Sequence, residues 1–278
     1  MPYFQPYKLA LNQNSCKNLK INEFLKFSKD FKGVELDYEK IDEVISKGLL
    51  LKDLKEELEM FGLKMVSLFT LKDFSLSRDS VFKRKILPSF EKMMDIGYRL
   101  ESNLLVVKPS DISDDPSLRN VPDWRIYKRT TERLEEISKI AQKEDIKIGF
   151  EFDCGTSISD FQQAKKVLDP LKSQENLGFV IDTFEFYKSE SDINELKDVI
   201  DFVYLVQLSD ILEVSNKTEY NKDDSYKKYS RVFPGGGKRK IPQFLRLVRK
   251  LGYRDYFSIK LDKIECNQNL FKKFYKSI

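Results

Sequence analysis

Ile146-Lys147-Ile148-Gly149-Phe150-Glu151-Phe152 and, one helical segment later, Gly178-Phe179-Val180-Ile181-Asp182 are short, nearly unbroken apolar runs that each deliver a carboxylate at the end. Neither alternates strictly between polar and apolar. Strands covered on both faces read this way, and such strands belong to parallel sheets. The same run recurs toward both termini about eight times in all, always followed by an amphipathic segment. Strands are predicted at 7–11, 33–36, 64–69, 103–107, 146–152, 178–182, 202–208 and 257–261. Helices are predicted at 21–31, 50–61, 80–98, 124–143, 159–171, 193–200, 241–251 and 269–276, with Pro88 expected to kink or interrupt the third.

Eight strand-then-helix units in 278 residues fit a (β/α)8 TIM barrel, an architecture of about 250 residues, and the chain reads as a single domain spanning 1–278. A doubly wound open sheet is the alternative. It would place a phosphate-binding glycine loop after the first strand, where this chain has Asn12-Gln13-Asn14-Ser15.

The chain contains no histidine. It therefore lacks the commonest acid/base at neutral pH and the commonest ligand for zinc, copper and iron. Chemistry must come from carboxylates, lysines, arginines and amides. The 49 basic and 45 acidic residues leave a net charge of only +4, a mixed surface rather than the basic stripe of a nucleic-acid binder. No apolar run approaches the ~20 residues of a bilayer span, and the start Met1-Pro2-Tyr3 lacks the features of a signal peptide. Three cysteines, Cys16, Cys154 and Cys266, form no CxxC pair, as expected of free thiols in a cytoplasmic protein. Without a histidine partner, cysteine catalysis is not expected. Self-association is left open.

In a barrel, polar residues at the C-terminal strand ends converge on one mouth. The fourth strand delivers Lys108, and the fifth Glu151 followed by Asp153. The sixth delivers Asp182, with Glu185 beyond it; the seventh Gln207, then Asp210; the eighth Lys260, then Asp262. Burying Glu151 and Asp182 among apolar neighbours requires a compensating cation. Mg²⁺ or Mn²⁺, which prefer oxygen ligands, would serve, and so would a lysine ammonium. The plainer alternative has both carboxylates capping loops or pairing with nearby Lys and Arg. Asp210 and Glu185 equally suit helix N-termini, and Lys108 and Lys260 could snorkel. Arg231 opens Arg231-Val232-Phe233-Pro234-Gly235-Gly236-Gly237, where glycines permit close backbone approach to a ligand and Arg231 suits a carboxylate or phosphate. Two long loops, 109–123 and 211–240, flank this mouth, and Tyr and Lys residues in 217–229 read as a flap or a solvated loop.

On these motifs the chain resembles the xylose isomerase-like TIM barrels, a superfamily of sugar isomerases and epimerases that also includes hydroxypyruvate isomerases, inosose dehydratases and endonuclease IV-type enzymes. The matching segments, in order, are Gly33-Val34-Glu35-Leu36, Ile148-Gly149-Phe150-Glu151, Asn176 through Thr183, Val206-Gln207-Leu208-Ser209-Asp210, Phe233-Pro234-Gly235-Gly236-Gly237 and Leu251-Gly252-Tyr253 through Lys260. The resemblance implies one divalent metal held by a Glu, an Asp, a His and a second Glu. These positions fall on Glu151, Asp182, Gln207 and Lys260, and a substrate-contacting His falls on Glu185. Two ligands are retained, one becomes a neutral amide and one a cation. The expectation is that the Lys260 ammonium stands in for the metal, with no cofactor, although Mg²⁺ or Mn²⁺ remains an alternative at an incomplete set.

Three functions follow as expectations. The first is isomerisation or epimerisation of a small carbohydrate-like ligand. Glu151 would be the base, Lys260 or Lys108 would stabilise an enediolate, and Asp182, Glu185, Gln207, Asp210 and Arg231 would bind substrate. The second is a sugar-binding or scaffold barrel without catalysis. The third is a lyase or aldolase forming a Schiff base on Lys260 or Lys108. The endonuclease branch is set aside, since its zinc site depends on histidines.

Overall fold

The structure, a computed structural model, describes residues 7–112, 121–213 and 229–262. Eight parallel strands close into a barrel: β1 Leu9–Asn12, β2 Gly33–Asp37, β3 Lys64–Leu71, β4 Leu104–Val107, β5 Lys147–Glu151, β6 Leu177–Asp182, β7 Val203–Leu208 and, closing back on β1, the last strand Phe257–Ile259. Each neighbours its predecessor in sequence around the ring. Between β7 and that last strand lies a separate antiparallel hairpin, β8 Asp210–Glu213 with β9 Tyr229–Val232, so the closing strand is β10.

Period-two alternation explains why the strands look continuously apolar. One set of side chains, including Leu9, Leu11, Leu36, Leu105, Ile148, Phe150, Phe179, Ile181, Leu208 and Ile259, joins the main core outside the barrel. The other set points inward. Ala10, Val66, Val106, Val180 and Leu205 fill the barrel floor. The inward positions one step nearer the mouth are polar: Asn12, Glu35, Glu151, Asp182 and Gln207, with Ser258 beside Gln207. Glu151 lies in register with Val180, and Asp182 with Gln207. The stagger of the closed sheet therefore brings successive strand ends to one level.

The outer ring begins with α1 Ile21–Phe27, α2 Tyr38–Ser46 and α3 Leu51–Met60. The predicted helix at 80–98 runs from α4 Asp79–Val81 through a π turn, Phe82–Ile86, into α5 Leu87–Arg99. Pro88 sits at the start of α5, and the wider turn just before it absorbs the hydrogen bond that proline cannot donate, so the helix is not broken. α6 Asp123–Gln142, α7 Phe161–Leu168 and α9 Ile241–Lys250 match expectation, and α8 Thr183–Lys188 follows β6 directly. The predicted helix at 193–200 is two short 3₁₀ pieces, Ile193–Asp198 and Ile200–Phe202. The predicted helix at 269–276 and the stretch 214–228, which holds most of the segment read as a flap, lie outside the described residues. Among those described, no helix is long and apolar enough to cross a membrane.

Candidate active site at the barrel mouth

The last inward steps of β1, β2, β5, β6 and β7, and the residues just past β4 and β10, place charged or amide groups over the apolar floor. Lys108 and Lys260 stand one residue beyond β4 and β10. Their backbone N–H groups donate to Leu71 O and Leu208 O, which extends the ladder and fixes where each side chain starts. Lys260 Nζ then donates to Glu151 Oε1 at 2.5 Å and Gln207 Oε1 at 2.7 Å, and lies 3.0 Å from Asp182 Oδ2. Glu151 and Asp182 are each only 1% exposed. Two buried carboxylates thus share one ammonium, the compensation that their burial requires.

Two further cations flank this pair. Lys108 Nζ reaches the same Glu151 Oε1 at 3.0 Å and Asp153 Oδ2 at 2.8 Å. Arg231, carried in on β9, donates through Nη1 to both oxygens of Asp182 at 2.7 and 2.9 Å and to Ser209 Oγ at 2.8 Å. Its Nη2 donates to Glu185 Oε1 at 3.2 Å, and the guanidinium lies over the Phe184 ring at 4.4 Å. Asp182 also caps α8, accepting from the Phe184 N–H at 3.0 Å. On the opposite side of Gln207 lies Glu35, wholly buried. It accepts from Asn12 Nδ2, Ser67 Oγ and Gln207 Nε2, each at 2.9 Å.

The carboxyls separate into two groups. For Asp182 burial alone would raise the pKa, but Arg231 and Lys260 outweigh it and hold the group well below the usual carboxylate range. For Asp153 burial is again outweighed, here by Lys108, and the value falls to about 2. Glu35 and Glu185 move the other way. Burial raises both; for Glu185 the charges of Asp153 and Asp182 add to the rise, against Arg231 and Lys188. Burial would lower Lys108, yet Glu151 and Asp153 keep its ammonium above the ordinary lysine value. Burial and the Glu185 charge push the Cys154 thiol up to about 12. Its backbone N–H and its thiol both bind Glu185, so it is not an activated nucleophile.

Of the residues singled out from sequence, the structure brings together Lys108, Glu151, Asp182, Glu185, Gln207, Arg231 and Lys260. Asp210 stands apart. Its carboxylate accepts from the Ile211, Arg239 and Gly235 N–H groups at 2.8, 3.0 and 3.2 Å, folding the glycine loop onto the hairpin instead of facing a ligand. Gly237 is required there, because a Cβ would lie 2.6 Å from Asp210 Oδ1. Glu35 was assigned no role from sequence. Its signal was the same as that of Glu151, a carboxylate at an inward position of an apolar strand.

The groups that meet here are two carboxylates, one amide and one ammonium. Among the described residues no group of three or more His, Cys, Asp or Glu side chains is placed to hold a metal. The point between Glu151, Asp182 and Gln207 is taken by the Lys260 nitrogen. A +2 ion about 4 Å from that ammonium would be repelled by roughly 8 kcal/mol at an effective dielectric constant of about 20.

Comparison with known proteins places these features in a family context. A family model described as xylose isomerase-like TIM barrel matches residues 28–269. Among curated proteins, the inosose isomerase of Bacillus velezensis is 26% identical over 222 residues, 77% of this chain and 73% of the relative. That of Halalkalibacterium halodurans is 25% identical over 227 residues, 80% and 75% of the two chains. Among solved structures, a zinc-bound IolI protein superposes with a TM-score of 0.77 at 23% identity, covering 97% of this chain and 94% of its own. The Escherichia coli 3-keto-D-glucoside 4-epimerase YcjR does so with a TM-score of 0.72 at 12% identity, covering 98% and 97%. These two structural likenesses speak to the fold.

Proposed function

The chain belongs to the xylose isomerase-like TIM barrel family, and from that premise we propose that it acts on a small polyhydroxylated carbonyl compound as a sugar isomerase or epimerase, with the Lys260 ammonium in place of a divalent ion. The inosose isomerases among its relatives support the reaction class. The single observation that carries the metal-free part is the Lys260 nitrogen between Glu151, Asp182 and Gln207.

In this reading Glu151 takes the proton from the carbon beside the carbonyl, and the electron pair moves onto the carbonyl oxygen. Lys260 and Lys108, both already on Glu151, supply the positive field for the resulting enediolate. Delivery of the proton to the former carbonyl carbon, with the hydroxyl proton passing from one enediol oxygen to the other, gives the isomer; delivery of a proton to the opposite face of the original carbon by a second acid gives the epimer. Asp182 and Arg231 hold substrate hydroxyls. Glu185, with its raised pKa, is suited to deliver a proton.

The Schiff-base reading is disfavoured. A nucleophilic amine must offer a lone pair, whereas Lys260 directs its ammonium at three oxygens and Lys108 is held above the usual lysine value. The same saturation of Lys260 favours a second reading, a barrel that binds a sugar without converting it. One experiment separates the two. The protein is incubated with an inosose and ketose panel in D2O, and exchange of the proton beside the carbonyl is followed by NMR. Exchange that survives EDTA and is abolished by Glu151→Gln is expected. A thermal shift with a panel member but no exchange would favour binding alone, and exchange only on adding Mn²⁺ would sink the metal-free reading.

A further inference from the structure

An ammonium can only donate hydrogen bonds and a carboxylate can only accept them, while a primary amide has one end of each kind. Gln207 stands between such a pair. Its Nε2 donates to Glu35 Oε2 at 2.9 Å and its Oε1 accepts from Lys260 Nζ at 2.7 Å. A half-turn of the amide would set N–H groups against the ammonium and a carbonyl oxygen against the carboxylate. Nothing else about this position is adjustable, because Gln207 and Glu35 are both fully buried. Asn12 and Ser67, on the strands either side of β2, hold the remaining acceptor capacity of Glu35 toward Gln207.

We infer that Glu35 is a positioning residue that acts through the Gln207 amide to hold the Lys260 ammonium against Glu151 and Asp182. It lies behind the amide and makes no hydrogen bond to Lys260, although the two charges attract each other across it. Its effect is to make one amide orientation the only satisfied one, and so to give Lys260 a third, fixed oxygen besides the two carboxylates. An ammonium held by three oxygens has one place to sit; held by two on flexible geometry it does not. This inference deepens the proposed reaction, since it concerns the group that stands in the metal's place. Its test reads the ammonium directly and does not depend on turnover.

The probe is the side-chain ammonium signal of Lys260 in ¹H–¹⁵N NMR, identified by its loss in Lys260→Met. Lys108, which shares Glu151 but not Gln207, serves as the internal control. Glu35→Met keeps nearly the volume and removes the charge and both acceptor oxygens, so nothing is left to accept from Gln207 Nε2. The Lys260 signal is expected to shift or broaden away while that of Lys108 persists. Gln207→Met, which leaves Glu35 in place but cuts the link, is expected to do the same. A Lys260 signal unmoved in either folded variant overturns the inference. Should both variants fail to fold, an atomic-resolution or neutron structure of the unaltered protein decides: Nε2 of Gln207 toward Glu35 supports the link, and the reversed amide removes it. Absence of proton exchange on sugars with the NMR shift intact would instead count against the reaction alone.

Discussion

Lys260 bears on two carboxylates that have almost no access to water, so its removal is more damaging than the loss of an ordinary ion pair. Breaking a buried pair from one side leaves an uncompensated charge and costs about 3–5 kcal/mol. Lys260→Met leaves Glu151 to Lys108 and Asp182 to Arg231, so the expected loss in urea denaturation is smaller, about 2–3 kcal/mol, and a loss under about 1 kcal/mol would show that the ammonium is dispensable. Asp153 gives a pH signature. Its folded pKa of about 2 lies below the unfolded value, so its contribution is present above about pH 4 and is lost as pH falls through 2. The stability gap between the unaltered protein and Asp153→Asn is expected to be about 2 kcal/mol at neutral pH and to close between pH 4 and 2. Denaturant midpoints across that range check it. At this scale the strand-end residues Lys108, Glu151, Asp182, Gln207 and Lys260 were legible, because period two and an apolar run together assign an inward direction. Asp210 misled, since an aspartate past a strand satisfies loop N–H groups as readily as it meets a ligand. Glu35 carries the same pattern as Glu151, but its partners Asn12, Ser67 and Gln207 sit on three other strands and show only in the folded chain.

Elements were legible to the extent that burial wrote them. All eight barrel strands fell within a few residues of expectation, since each is covered inside by the barrel floor or mouth and outside by helices. The helix α2 is absent from the sequence expectation, although Asp37 caps it by accepting from the Glu39 and Lys40 N–H groups and Tyr38 and Ile41 bury one face. The β8–β9 hairpin falls within a stretch whose composition predicts loop. Its pairing crosses the segment 214–228, and neither strand has the apolar run that marked the barrel. Yet that hairpin delivers Arg231. Close strand approach makes a separate demand at Gly178 in β6. A Cβ there would lie 2.7 Å from Tyr204 Cε2 and nearer still to the Phe202 carbonyl oxygen. Gly178→Ala is expected to cost about 1–3 kcal/mol. At Gly155, whose nearest neighbour would be Asp153 Oδ1 at 3.4 Å, alanine is expected to stay within about 0.5 kcal/mol. Thermal denaturation of the two variants checks the contrast.

For the molecule as a whole, the order of the units around the ring is what the sequence conveyed best. A repeated strand-and-helix rhythm with no early glycine loop has few closed solutions. The occupant of the mouth was less legible, because composition reports which side chains exist but not which point into one space. If Lys260 and Gln207 are what exclude a divalent ion, reversing both should admit one. Gln207→His with Lys260→Glu is expected to bind Mn²⁺ or Zn²⁺ with one-to-one stoichiometry by calorimetry, where the unaltered protein gives no such isotherm. Saturable one-to-one binding by the unaltered protein would refute the premise.

On the proposed reading, the working charge of this barrel hangs from the backbone by four methylenes. It cannot be stripped by a chelator, exchanged for a heavier neighbour in the periodic table or diluted away when the surroundings run short of trace elements. Its supply is guaranteed by translation, and only a change of codon takes it out of the pocket.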